Sequence, residues 1–205
     1  TLLWGFRLNF KPLDGLEIGL TRLAQWGGKD RPKSFGTFAD LLLGKDNCGA
    51  SGLVCGENKE NEPGNQQAGY DLRYSFNLLN TPISLYGQYF AEDGDNSGSA
   101  LSFLTEPKIQ VGIDTHLKLF SAPTTLYLEY SDTYADCSDT DTNNVGNCFY
   151  EHSIYQTGMR YQQRTLGNLY DNDATSVVLG FISTINQNIN MTTKIRHLQL
   201  NKDNN

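Results

Sequence analysis

Long hydrophobic runs are missing from this chain of 205 residues. No stretch of about 18 apolar residues occurs, so no transmembrane helix is encoded. The opening residues, Thr1 to Phe10, lack a charged start followed by an apolar core, so no secretory leader is read there. Histidine is scarce, with only His116, His152 and His197, and neither G-x-S-x-G nor H-E-x-x-H occurs. Catalysis therefore has little support, and the expectation is a protein that is not an enzyme. A Glu92/Asp93 glycosidase pair is conceivable, but adjacent loop carboxylates are common. Positive charge is also short: 16 Lys and Arg against 23 Asp and Glu give a net charge of −7. No basic stripe is present to bind phosphates, which argues against nucleic acid.

Cysteine is limited to Cys48, Cys55, Cys137 and Cys148. They form two local pairs, each inside a polar loop. An even count so placed suggests two disulfides and an oxidising compartment. A zinc site using Cys137, Cys148 and His152 is the alternative, but no C-x-x-C spacing supports it.

What is present is alternation. Leu2, Trp4, Phe6, Leu8 and Phe10 oppose Leu3, Gly5, Arg7, Asn9 and Lys11, a period of two that predicts a strand over 2–11. Further strands are predicted over 16–26, 67–78, 83–91, 108–119, 124–131, 153–164, 174–184 and 189–200, nine in all. In the second, Arg22 falls on the apolar face, and a bulge is the expected remedy. A mean hydropathy of −0.47 does not oppose a membrane barrel, because strands that are apolar outside and polar inside average to a polar value.

Strands of roughly 9–12 residues match a tilted membrane strand and exceed the usual soluble length. The connections decide further. Short ones at 12–15, 79–82, 120–123 and 165–173 alternate with long ones at 27–66, 92–107 and 132–152. In an up-and-down meander, alternate connections share an end. Short turns at one end and long loops at the other mark an outer-membrane barrel with its long loops outside the cell. The connection at 184–188 is short at the long-loop end and breaks this pattern. Arg7, Glu17, Asp71, Arg73, Lys108, Asp114, Lys118, Glu129 and Arg160 take the lumen parity, as does His116. Trp4, Trp26, Tyr70, Tyr74, Tyr89 and Tyr130 suit an interfacial girdle. A sandwich of soluble strands would show similar aromatics, but not the strand lengths or the loop alternation. Nine strands would leave one unpaired, since single-chain bacterial barrels have even numbers. The expectation is therefore a piece of a longer protein, with residues 1–205 forming part of one barrel domain.

Several segments together resemble the capsule assembly protein Wzi family. They include Leu16 to Arg22, Gln25-Trp26-Gly27-Gly28, Phe38-Ala39-Asp40-Leu41-Leu42, Pro63-Gly64-Asn65-Gln66, Tyr127 to Thr133 and Gly158-Met159-Arg160-Tyr161. The resemblance covers most of the chain. It implies an eighteen-stranded outer-membrane barrel, of which this chain would be about half, closed at its periplasmic end by a helical plug. It also implies a lectin that helps attach capsular polysaccharide, embedded in outer-membrane lipid as a monomer. A porin or sugar channel is the alternative, and a soluble secreted sugar-processing β-domain the second.

Sugar recognition needs aromatic platforms beside planar hydrogen-bonding groups. The loop-end candidates are Trp26, Arg31, Asp40, Asn65, Gln66, Tyr134 and Tyr150, although polar loop residues more often serve local turns. Phe38 to Leu43 is predicted as a short helix capped by Ser34 or Thr37, with its apolar residues against the barrel mouth. Asp93 and Asp95 echo the start of a calcium loop. The twelfth position holds Leu104 instead of Glu, so no cofactor is expected.

Overall fold

The structure, a computed structural model, describes residues 1–28, 31–43, 64–92, 108–134, 149–152 and 155–202. Both cysteine pairs and the Asp93/Asp95 segment lie outside the described residues.

Alternation resolves into one antiparallel sheet of eight long strands. They are β1 (Leu2–Leu13), β2 (Leu16–Trp26), β3 (Gly64–Leu78), β4 (Thr81–Glu92), β5 (Lys108–Leu119), β6 (Ala122–Asp132), β9 (Thr175–Asn186) and β10 (Ile189–Gln199). Two strands of two residues, β7 (Arg160–Tyr161) and β8 (Arg164–Thr165), form a separate hairpin. The long strands pair with their neighbours in chain order, an up-and-down meander whose edges are β1 and β10. One helix, α1 (Phe35–Leu42), lies between β2 and β3.

The expected spanning strand over 153–164 does not form. Its alternating residues pack elsewhere: Met159 is fully buried among Phe149 and Tyr150. Gly158 sits at φ +62°, and Gln162 and Gln163 take left-handed φ values of 48° and 66°, geometries no extended strand holds. The sheet therefore has eight strands where nine were expected. Its connections now alternate throughout. Turns at 14–15, 79–80, 120–121 and 187–188 mark one end, while 27–63, 93–107 and 133–174 mark the other. The short connection after β9 falls at the short-turn end, so the anomaly at 184–188 disappears.

Two of the turns are tight. Leu79 and Asn80 take φ of 49° and 64°, and Phe120 and Ser121 take 48° and 68°. Paired left-handed residues match the twist of a hairpin. Leu79 and Phe120 pay a steric cost there that the long flanking ladders override.

The two faces of the sheet are chemically inverted relative to a soluble protein. The outward face carries exposed Phe6 (54%), Leu72, Val111, Ile113 and Ile195 (64%). The inward face carries the polar contacts. Arg7 pairs with Asp71 at 2.8 Å and donates to Thr21 at 2.6 Å. Arg73 pairs with Asp114 at 2.7 Å, and the Tyr86 hydroxyl donates to Glu129 at 3.0 Å. His116 Nδ1 lies 2.8 Å from Thr125 Oγ1, in keeping with its lumen parity.

Three cross-strand pairs on this inner face set an aromatic ring opposite a glycine. Gly69 faces Phe90, Gly112 faces Tyr86, and Gly180 faces Tyr127. A Cβ at any of these glycines would overlap the facing ring. The rings lie across the neighbouring strand, where only a hydrogen leaves room.

Candidate functional site

At the long-loop end, the first and third connections fold to opposite sides of the sheet. The first places α1 on the outward face. Ser34 caps it, its Oγ accepting from the Thr37 amide at 3.2 Å, as the sequence suggested. Phe38 packs on Trp26 at 5.2 Å and edge-on to Trp4 at 6.3 Å between ring centroids. Leu41 is fully buried, and a Cβ on Gly64 would strike it. Trp4 and Trp26, both partly buried, are thus the two wall rings that meet the helix through Phe38.

Arg22 needs no bulge. Its register with Phe6 and Ala68 is regular, so its side chain takes the outward face. There its Nη1 donates to Leu42 O at 2.8 Å and its Nη2 to Leu41 O at 2.6 Å. Nε adds a bond to Gln66 Oε1 at 2.8 Å. Carbonyls at a helix C-terminus are unpaired and carry partial negative charge, which suits a guanidinium.

The third connection turns inward. Within it, residues 155–174 and the preceding 149–152 form a strap over the inner face. Phe149, Tyr150 and Met159 make its small core, against Phe90 of β4 and Leu166. Lys108 Nζ sits 5.0 Å from the Phe149 ring centroid, and Gln25 Nε2 donates to Gly158 O at 2.8 Å. Arg160 holds the strap's shape. Its guanidinium meets Glu151 at 2.5 Å and Asp171 at 2.9 Å. The hydrogen bond that Arg160 donates to Glu151 is the main cause raising the Arg160 pKa above its usual value, with burial opposing and Asp171 adding to it. Arg160 therefore belongs to the strap, not to a wall strand.

Between the strap and the start of β1 lies a cavity of about 560 Å³. Gln25, Gln156, Gln162 and Gln163 are among the residues that line it, together with Leu2, Leu3 and Leu166. Tyr161 lines the same space, largely exposed. Gln25 is only 5% exposed, yet its Oε1 has no partner among the described residues. Asn65, opposite Gln25 in the β2/β3 register, and Gln67 are fully buried and likewise hold unpartnered amide atoms. Burying an amide atom without a hydrogen bond costs about 1–3 kcal/mol, and Asn65 and Gln67 carry that cost away from the cavity lining.

The seven candidates named from sequence do not converge. Trp26, Asp40 and Gln66 belong to the α1 side: the Trp26 indole donates to Thr37 Oγ1 at 3.2 Å, and Gln66 holds Arg22. Asp40 is a partly buried residue of the helix, and Arg31 lies just before it. Asn65 and Tyr150 are on the inner side, where the Tyr150 hydroxyl accepts from the Asn168 amide at 2.9 Å. Tyr134 lies beneath Lys202, with Nζ 5.1 Å from its ring centroid. Gln25, Gln156, Gln162 and Gln163 were not singled out. A Gln-Gln pair flanked by arginines was visible in the sequence, but the assignment of 153–164 to a wall strand hid it.

An antiparallel meander with an apolar exterior, a hydrogen-bonded polar interior and all long loops at one end defines the class: a membrane-spanning β-barrel wall. The family model of the capsule assembly protein Wzi matches residues 1–205, and the chain belongs to that family. A 55.8 kDa protein from the cps region of Klebsiella pneumoniae is 38% identical over 138 residues, which cover 65% of this chain and 24% of that protein. Among solved structures, Wzi of Escherichia coli, described as an outer-membrane, carbohydrate-binding β-barrel involved in group 1 capsule assembly, superposes with a TM-score of 0.70 at 28% identity. That match covers 99% of this chain and 39% of the Escherichia coli chain. The chain thus spans well under half the length of either relative.

Proposed function

We propose that this chain is a stretch of an outer-membrane lectin, its long loops facing outside, that binds capsular polysaccharide and helps assemble capsule at the cell surface. Residues 1–205 would form one continuous part of a single barrel domain. The observation carrying this reading is the cavity beneath the strap, where Gln156, Gln162, Gln163 and Tyr161 stand beside leucines. Planar amides align with pairs of sugar hydroxyls, and Tyr161 offers a ring for stacking. Among the described residues its charged lining side chain is Arg160, which Glu151 and Asp171 already neutralise. The cavity therefore suits a hydroxyl-rich, uncharged stretch of glycan. No nucleophile or acid–base pair is assembled there among the described residues, and the reading is of binding without turnover.

The test is glycan affinity of the full-length protein, measured by calorimetry with capsular polysaccharide from the producing strain. Replacing Gln162 and Gln163 together with alanine should weaken binding about tenfold, the worth of one or two hydrogen bonds. Binding should change little between low and high salt, since uncharged contacts are not screened. Undiminished affinity in that double variant would remove the cavity from the site. A channel function is the competing reading, and the inward strap favours the lectin. Planar bilayers holding the full-length protein should show no steady conductance.

A further inference from the structure

The placement of α1 on the outer face assigns a second role to the mouth. One flank of the helix is docked through Phe38 and Leu41. The other flank leaves Phe35 85% and Leu43 71% exposed, with Leu42 also exposed beside them. Exposed apolar residues on a loop helix usually mark a surface that meets something. What this one meets follows from its neighbours. The helix C-terminus stands at the level of Arg22, whose register partner Phe6 is exposed on the same outward face. Below it on that face come Leu8 and Leu20, paired with each other and both exposed. The apolar band of the wall thus reaches the helix, with Arg22 and Gln66 at the junction between them. The one charge at the junction, Arg22, is enclosed by the carbonyls of Leu41 and Leu42 and by Gln66. Lys33, ahead of the helix, is exposed and suited to a phosphate headgroup.

We propose that α1 is a lipid-facing anchor: its Phe35 and Leu43 flank sits among acyl chains of the outer leaflet, with Lys33 at headgroup level. A short amphipathic helix on a bilayer surface buries its apolar side to about that depth. In this arrangement residues 31–43 are tied to the membrane. Docking of α1 would then hold the rim of the barrel at a fixed height in the leaflet. The inference rests on reading the wall as membrane-spanning, and the experiment separates the two.

A photoreactive benzophenone amino acid is placed singly at Phe35, Leu43, Ile113 and Gln163 of the full-length protein. Each variant is reconstituted in vesicles of dioleoylphosphatidylcholine and dioleoylphosphatidylglycerol, and folding is checked by heat-modifiable migration. Ile113 reports the wall and Gln163 the strap. Positions 35 and 43 should yield lipid adducts within about threefold of position 113, and position 163 at least about tenfold less. Adducts at 113 but none at 35 or 43 would overturn the anchor while leaving the wall in the membrane. No adducts at 113 would sink the membrane reading, and the anchor with it.

Discussion

Two connections leave the same end of the sheet and reach opposite faces. The one after β2 lays α1 on the outside, and the one after β6 lays the strap on the inside. Both contain aromatics, so hydrophobic content does not separate them. What differs is the surface each can match. α1 offers Phe38 to Trp4 and Trp26 of an apolar wall, and its C-terminal carbonyls take up the wall's Arg22. The strap gathers its aromatics into a small core that meets the wall at Phe90 and Lys108, and offers the carbonyl of Gly158 to Gln25. A loop at a barrel mouth settles on the face whose chemistry completes its own.

That contrast can be broken from either side. The largest effect is expected for Met159→Ala, which empties the centre of the strap core; large-to-small changes at such sites cost about 2–5 kcal/mol. Limited proteolysis should then cut within 149–174 while the unfolding transition of the wall is unmoved. If the wall weakens equally, the strap is not a separate unit. Next is Ile113→Arg on the outward face at the middle of β5, expected to cost about 2–4 kcal/mol if that level is the bilayer midplane. Urea unfolding in lipid vesicles measures it, and Gln110→Arg, pointing inward, should be nearly silent. Equal penalties at the two positions would undo the assignment of outside and inside. Arg22→Ala removes the cap on the C-terminus of α1 and should cost about 1–3 kcal/mol of helix docking, the range for hydrogen bonds from a charged group. Increased exposure of Trp26, read as a red shift in its emission, is the expected sign. Ser34→Ala is the mildest, about 0.5–2 kcal/mol from a lost N-cap. Hydrogen exchange should quicken at the Thr37 amide and stay unchanged across the strap.

Much of the wall was legible because a period of two needs only neighbours in sequence. Leu2 to Phe10 show it, and the observed register pairs them as the alternation requires. The helix was legible in part: it was expected over 38–43 with Ser34 or Thr37 as its cap, and it runs Phe35–Leu42 because Ser34 takes the capping position. The strap was not. Tyr155, Thr157, Met159 and Tyr161 alternate with polar residues as a wall strand would, and periodicity does not reveal that Met159 turns toward Phe149. Gly158 and the Gln162-Gln163 turn were the available local signals. Two anomalies pointed the same way: an odd strand count and a short connection at the long-loop end both vanish when that one strand is removed. Arg22 was misread because its partners are the end of a helix some twenty residues on, a contact no local rule reaches. The candidate site shares this cause. Gln25 and Gln156 meet only through the strap's fold, so neither stood out in its own segment.

The glycines beneath Phe90, Tyr86 and Tyr127 bear on how such a wall avoids assembling wrongly. A slip of one residue between strands turns every side chain inside out, and the apolar pattern alone forbids it. A slip of two leaves the pattern intact and is invisible to it. The ring-on-glycine pairs can tell the difference. Shifted by two, Tyr86 would face Gln110 or Asp114, Tyr127 would face Val178 or Ile182, and Phe90 would face Gln67 or Asp71. Each alternative sets a side chain where the ring must lie. Those three seams, β3/β4, β4/β5 and β6/β9, thus carry a proofreading mark that hydrophobicity cannot write.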